Sequence, residues 1–236
     1  MRPGDEDRLT FEITTRADRG ADPTVLSTGR VYRTGTTRPG RVDLTSLRAA
    51  CTTTVSATRV REALASMGIV HGPSLRAVRE AYVDTGTGTV LAELELPAGA
   101  SPADGGPVLP PALLDSAIQA SIALHLGDGP ADPETAVPFA LDRFELLAPC
   151  PSSARAVVRV ADATGPATAL SRLDVDITDV HGRVCVRMTG YTSRRLRPPV
   201  PSLFAPVWES VAAHTPDGHA PDPADHMLVV GGTAEQ

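Results

Sequence analysis

The chain has 236 residues, 42% hydrophobic but only 3% aromatic, so aliphatic side chains must build its core. Its net charge is −6, and Arg-Arg-Leu-Arg at 194–197 is too short a basic run to suggest nucleic-acid binding. No apolar run approaches the ~18 residues of a membrane helix, residues 1–8 are polar and acidic, and Cys51, Cys150 and Cys185 form no C-x-x-C pair, so reduced thiols in a cytoplasmic protein are expected.

Two strand-like runs, 9–15 and 25–32, flank a Gly/Asp/Pro turn and predict a hairpin. Residues 34–55 read as a linker with one short element around Leu44–Ala50. Val60, Leu64 and Met67 then recur at helical spacing, with Ser56 placed to cap the start and Gly68 to end the helix. Pro73 is suited to open another short helix. In 81–96, Val90, Ala92, Leu94 and Leu96 alternate with Glu93 and Glu95, as on a half-buried strand.

Residues 111–126 give the strongest helix signal, with Pro111 at its first position and apolar residues on nearly every side, which predicts burial. Strands follow at 137–146, 155–161, 170–178 and 183–192. In the last, Val184, Val186 and Met188 are expected to share one face, and the turn at Asp179–Gly182 makes the final two strands a hairpin. An antiparallel sheet around one long central helix is an α+β hotdog layout. Pro198-Pro199 marks a boundary, and Met227–Gly232 reads as the first strand of a further α/β domain.

Asp115 and Gln119 stand four residues apart on the 111–126 helix and share a face. A carboxyl buried there favours its protonated form, and a neutral acid beside a Gln suits a general acid. The competing reading is an acid in the first helical turn, solvated and complementing the helix dipole.

The stretch Leu109-Pro-Pro-Ala-Leu-Leu-Asp115-Ser-Ala-Ile-Gln119 resembles the His-Pro-Ala-Leu-Leu-Asp-x-x-x-Gln motif of polyketide synthase dehydratases. Gly68-Ile-Val-His71-Gly72-Pro73-Ser-Leu75-Arg76 is similar to that family's Gly-x-x-Tyr-Gly-Pro-x-Phe-Arg segment, and Val137-Pro138-Phe139 to its Leu-Pro-Phe strand start. The resemblance covers roughly residues 9–197. It implies that 51–197 form the C-terminal hotdog of a double hotdog, that 1–50 hold the end of the first hotdog and a linker, and that 198–236 begin a ketoreductase-like domain.

The family reaction is elimination of water from a β-hydroxyacyl chain carried on the phosphopantetheine of acyl carrier protein, with no cofactor of the dehydratase's own. The resemblance therefore implies a catalytic role for Asp115, with Gln119 orienting it and His71 near it, and acyl-chain contacts for Gly72, Pro73, Leu75, Pro138 and Phe139. It implies as partners acyl carrier protein, the other synthase domains and a second hotdog or a second copy of the chain, with no nucleic acid and no membrane. Pro110, His71 and Leu75 replace the family's His, Tyr and Phe. Family members also carry a catalytic His in a His-x-x-x-Gly-x-x-x-x-Pro motif upstream of the Asp, and none stands upstream of Asp115. Two readings follow: a dehydratase whose base comes from elsewhere, or an inactive dehydratase-like scaffold or docking module.

Overall fold

The computed structural model describes residues 8–16, 22–32, 39–98, 108–126, 135–161 and 170–195. The expected ketoreductase-like segment 198–236 lies outside them.

The first hairpin pairs β1 (Arg8–Thr15) with β2 (Thr24–Tyr32) as a separate two-stranded sheet. Phe11 stands opposite Gly29, and its ring covers the place where a Gly29 side chain would be. Leu9, Ile13, Leu26 and Val31 are exposed, so this hairpin presents apolar residues to solvent.

An eight-stranded antiparallel sheet forms the body. It runs in the order β3 (Thr53–Ser56), β4 (Val78–Asp84), β5 (Thr89–Glu95), β8 (Ser153–Val160), β9 (Leu170–Thr178), β10 (Val184–Arg195) and β6 (Ala136–Ala140). β7 (Arg143–Leu146) shares the same flank of β10. The continuous 81–96 and 137–146 runs of the sequence reading are each two strands. Asp84 breaks the first, its carboxylate accepting from the Gly86 and Thr87 amides to form the turn that Gly88 completes at φ +64°.

Both faces of the sheet are covered. Against one lie α2 (Ala57–Ser66) and α3 (Pro111–Gln119), packed on Val90, Leu94, Val158, Val175 and Ile177. Leu94, Leu113 and Ile177 are fully buried there, each contributing about 2–3 kcal/mol of burial. Over the other face runs the 39–52 strap, whose α1 (Leu44–Ala50) is capped by Asp43 accepting from the Ser46 amide. Val42, Leu44 and Leu47 cover Tyr82, Leu91 and Val157, and the Arg48 guanidinium lies 3.7 Å from the Tyr82 ring centre.

The central helix is shorter than its apolar pattern suggests. It is α-helical to Gln119 and tightens to a 3-10 helix over Ala120–His125. Ser121 explains part of this change, because its hydroxyl donates to the Ile118 carbonyl at 2.7 Å and competes with the regular ladder.

The expected single face of Val184, Val186 and Met188 also needs correction. β10 carries two irregularities against β9, one between Val184 and Val186 and one between Met188 and Tyr191. Val186 and Met188 join the core beside α3, whereas Val184 pairs with Thr178 across the first slip.

Candidate active site

The site grows from a clamp between α3 and the loop that leaves α2. Ser56 caps α2 by accepting from the Arg59 amide, and Gly68 ends it with φ +78°. The chain then passes His71 and Gly72 into a 3-10 turn at Pro73–Leu75. Arg76 donates back to the His71 carbonyl at 2.9 Å and closes the loop on itself.

Two α3 side chains hold this loop. The Ser116 hydroxyl donates to the Leu75 carbonyl at 3.1 Å and accepts from the Ala77 amide at 3.0 Å. The Gln119 amide nitrogen donates to the same carbonyl at 3.0 Å and to Asp115 Oδ2 at 2.6 Å. Both Gln119 donor hydrogens are thus spent on acceptors, which fixes the orientation of the amide. His71 Nε2 lies 3.4 Å from the same Asp115 oxygen. Among the described residues, the hydrogen-bond and ion-pair partners of Asp115 all meet Oδ2.

The expectation that Asp115 is buried does not hold, since its side chain is 38% exposed while its neighbours Ser116 and Gln119 are buried. Asp115 is left on a partly exposed side of α3, because Leu113, Ser116 and Ala117 are buried on the side that packs into the core. A cleft of about 230 Å³ opens beside His71, between α2 and the 69–76 loop.

Of the remaining sequence candidates, Gly72 has open space where a side chain would stand, and Pro73 starts the 3-10 turn. Leu75 packs its side chain on the core and serves α3 through its carbonyl. Pro138 and Phe139 lie on β6, Pro138 opposite Ser193 and Phe139 at the register shift between Thr192 and Ser193. Phe139 is exposed beneath the Arg194 guanidinium, 5.7 Å from its ring centre.

Sequence reasoning missed Ser116 and Tyr191. A serine facing inward from an apolar helix was the available sign of the first. Tyr191 is buried in the core cluster, and its phenol is pushed up to about 12, first by burial and then by the charge of Asp115. Gly190 within a strand was the sign of the bulge that turns it inward.

A larger cleft of about 410 Å³ lies on the opposite face. There Asp176 is buried between Arg187 (2.7 Å) and Arg159 (3.1 Å), an ion-pair network away from Asp115. Among the described residues no group of three or more His, Cys, Asp or Glu is placed to hold a metal ion, and no helix is long and apolar enough to cross a membrane.

The family model described as "Polyketide synthase dehydratase N-terminal domain" matches residues 39–202. The chain belongs to the polyketide synthase dehydratase family. It is 31% identical to polyketide synthase PksN of Bacillus subtilis over 252 aligned residues, covering 98% of this chain and 4% of that protein. It is 34% identical to polyketide synthase ThaG of Burkholderia thailandensis, covering 94% of this chain and again 4% of the relative. The chain therefore spans a small part of these multidomain proteins. Among solved structures, a trans-AT PKS dehydratase domain from Brevibacillus brevis superposes with a TM-score of 0.72 at 29% identity, covering 83% of this chain and 68% of that one. The dehydratase domain of RzxB from Pseudomonas fluorescens gives 0.67 at 25% identity, with 80% and 64% covered. The fold is the dehydratase hotdog.

The spacing His-x-x-x-Gly-x-x-x-x-Pro does occur once, at His214, Gly218 and Pro223. It follows the Asp motif instead of preceding it, in a Pro- and Asp-rich stretch outside the described residues.

Proposed function

We propose that this chain supplies the acid half of a dehydratase site that removes water from a β-hydroxyacyl chain on acyl carrier protein. The observation that carries the reading is the convergence of Gln119 and His71 on one oxygen of Asp115. With Oδ2 held as an acceptor, Oδ1 is the oxygen free to carry a proton to a leaving hydroxyl. A base removes the proton on Cα, the C–H electrons form the Cα=Cβ bond, and the C–O bond breaks. The hydroxyl leaves as water with the proton of Asp115. Gln119 and Ser116 fix the helix and loop about that carboxyl, and His71 takes the place of the family's Tyr beside it.

His71 is already engaged with the acid, so the base is assigned to a second, His-bearing hotdog. The exposed apolar residues of β1 and β2 support such a companion, from the same synthase or from a second copy of this chain. The family model carries an N-terminal designation. The Asp motif favours placing 51–197 in the C-terminal hotdog, with 1–50 completing the first hotdog and its linker and 198–236 opening a ketoreductase-like region. Gly72, Pro73, Leu75, Pro138 and Phe139 are proposed to line the acyl path, and the dehydratase part to need no cofactor of its own. The rival reading is an inactive dehydratase-like scaffold or docking module within the synthase, which predicts no turnover with or without a His-bearing hotdog.

The test is dehydration of a 3-hydroxyacyl carrier protein by the chain alone and by the chain mixed with a His-bearing first hotdog. Turnover only in the mixture is expected. No turnover in either favours the scaffold. Turnover by the chain alone that is lost in His214→Ala moves the base to the downstream motif.

A further inference from the structure

We propose that the flank formed by α2 and the loop after it is the docking surface for the carrier protein. Arg61 and Arg76 would meet anionic groups around the base of the phosphopantetheine arm, and Val70 an apolar side chain of the carrier. This rests on the reading of the substrate as carrier-bound. The surface is set by how α2 ends. Gly68 takes φ +78°, its amide donates to the Ala65 carbonyl at 2.9 Å, and the Ile69 amide reaches back to the Leu64 carbonyl at 2.9 Å. Ile69 then packs against the core, and Val70, the next residue, is left 78% exposed. Ala65 is exposed on the last turn of α2. With Ile69 and Val70 it gives the cleft of about 230 Å³ an apolar lining on both the helix and the loop side.

This flank is basic on a chain that is acidic. Residues 57–76 hold three arginines and one glutamate, a net +2, whereas the whole chain carries −6. Arg61 lines the cleft from α2 and Arg76 from the loop. Each is anchored at one nitrogen: Arg61 Nη2 donates to Thr58 Oγ1 at 2.9 Å, and Arg76 Nε to the His71 carbonyl at 2.9 Å. A guanidinium has five N–H donors, so both forks keep donors for an anion. Glu62 is the one acid among the lining residues. His71 lines the same cleft and lies 3.4 Å from Asp115 Oδ2, so the cleft reaches the proposed acid. The phosphodiester of the arm is negative at neutral pH, and a carrier face with carboxylates around it matches this flank in sign. The larger cleft offers no such match, because its Arg159 and Arg187 are paired with Asp176 on the other face of the sheet.

Titration calorimetry of the full chain with a holo-carrier protein tests this, alongside turnover in the mixture with a His-bearing hotdog. Arg61→Glu and Val70→Asp are each expected to weaken binding about tenfold or more at unchanged circular dichroism, and added salt to weaken it in the wild type. Glu62→Gln removes the opposing charge and is expected to tighten binding about twofold, a gain that no folding defect produces. In turnover, Arg61→Glu and Val70→Asp are expected to raise KM for the 3-hydroxyacyl carrier protein. They should leave kcat unchanged, and also turnover of the same acyl group on N-acetylcysteamine. Absence of saturable binding, or an affinity unchanged in both variants, overturns the docking surface. Loss of turnover on the small thioester overturns it too, by placing these residues in the acyl path. Loss of association with the His-bearing hotdog overturns it by making this flank the interface between hotdogs. Asp115→Asn is expected to bind the carrier as the wild type does. Carrier binding that follows these variants in a wild type without turnover sinks the dehydratase reading and leaves the docking surface standing.

Discussion

Gln119 lies one helical turn beyond Asp115 and donates to its Oδ2 at 2.6 Å. The same amide nitrogen donates to the Leu75 carbonyl at 3.0 Å, so one buried side chain joins the proposed acid to the loop that carries His71. Gln119→Leu removes both bonds and leaves the buried Leu75 carbonyl with Ser116 alone. It is expected to cost about 1–3 kcal/mol of stability in urea denaturation and to lower kcat.

His71 offers a cleaner separation of roles. As the group beside Asp115 Oδ2, it should be replaceable by another hydrogen-bonding ring. His71→Tyr is expected to retain most turnover in the mixture, and His71→Phe to lose it by about tenfold or more. If His71 were the base that takes the α-proton, both variants would be equally inactive.

Gly182 and Gly68 both have positive φ, at 82° and 78°. A side chain at Gly182 would overlap the Val42 carbonyl oxygen, which belongs to the strap over the outer face, whereas Gly68 has open space around it. Gly68→Ala is expected to cost about 1 kcal/mol, the backbone penalty alone. Gly182→Ala is expected to cost distinctly more and to loosen the strap, seen as faster amide exchange at Val42 and Val184, whose amides bond to Gly182 and Gly40. Equal destabilisation of the two variants would argue against the strap as a fixed element.

The His125 imidazole is held below its ordinary value of 6.5 by partial burial and by Arg195. The folded state therefore binds this proton less readily than the unfolded chain does. The contribution of neutral His125 is fully present above about pH 6.5 and declines as pH falls from there through the folded-state value. His125 keeps an exposed surface, so the effect is small. His125→Gln is expected to flatten stability against pH in that window, by thermal melts at matched ionic strength.

Leu9, Ile13 and Leu26 are 69%, 54% and 64% exposed on the first hairpin. Light scattering is expected to show self-association of the isolated chain, reduced in the double variant Ile13→Glu, Leu26→Lys and reduced also by an added first hotdog. A strictly monomeric wild-type chain would contradict the companion surface.

Much of this architecture was legible in the residues. Ser56 and Gly68 bracket α2 as their capping chemistry predicts, Pro111 opens α3, and the Asp179–Gly182 turn joins β9 to β10. Asp115 and Gln119 share a face because four residues make about one turn. The departures have local causes. Spacing cannot show that Asp115 looks outward, since that depends on which side of α3 the sheet covers. Strict alternation put Val184 and Met188 on one face, because a pattern of period two cannot count the extra residue of the slip between Val184 and Val186. Tyr191 escaped notice for the same reason.

The most direct measurement of the central proposal is dehydration of a 3-hydroxyacyl carrier protein by the mixture of this chain with a His-bearing hotdog, comparing wild type with Asp115→Asn. Expected is a loss of about a hundredfold or more in kcat with the fold unchanged. Turnover that survives the substitution would contradict the assignment of Asp115 as the acid.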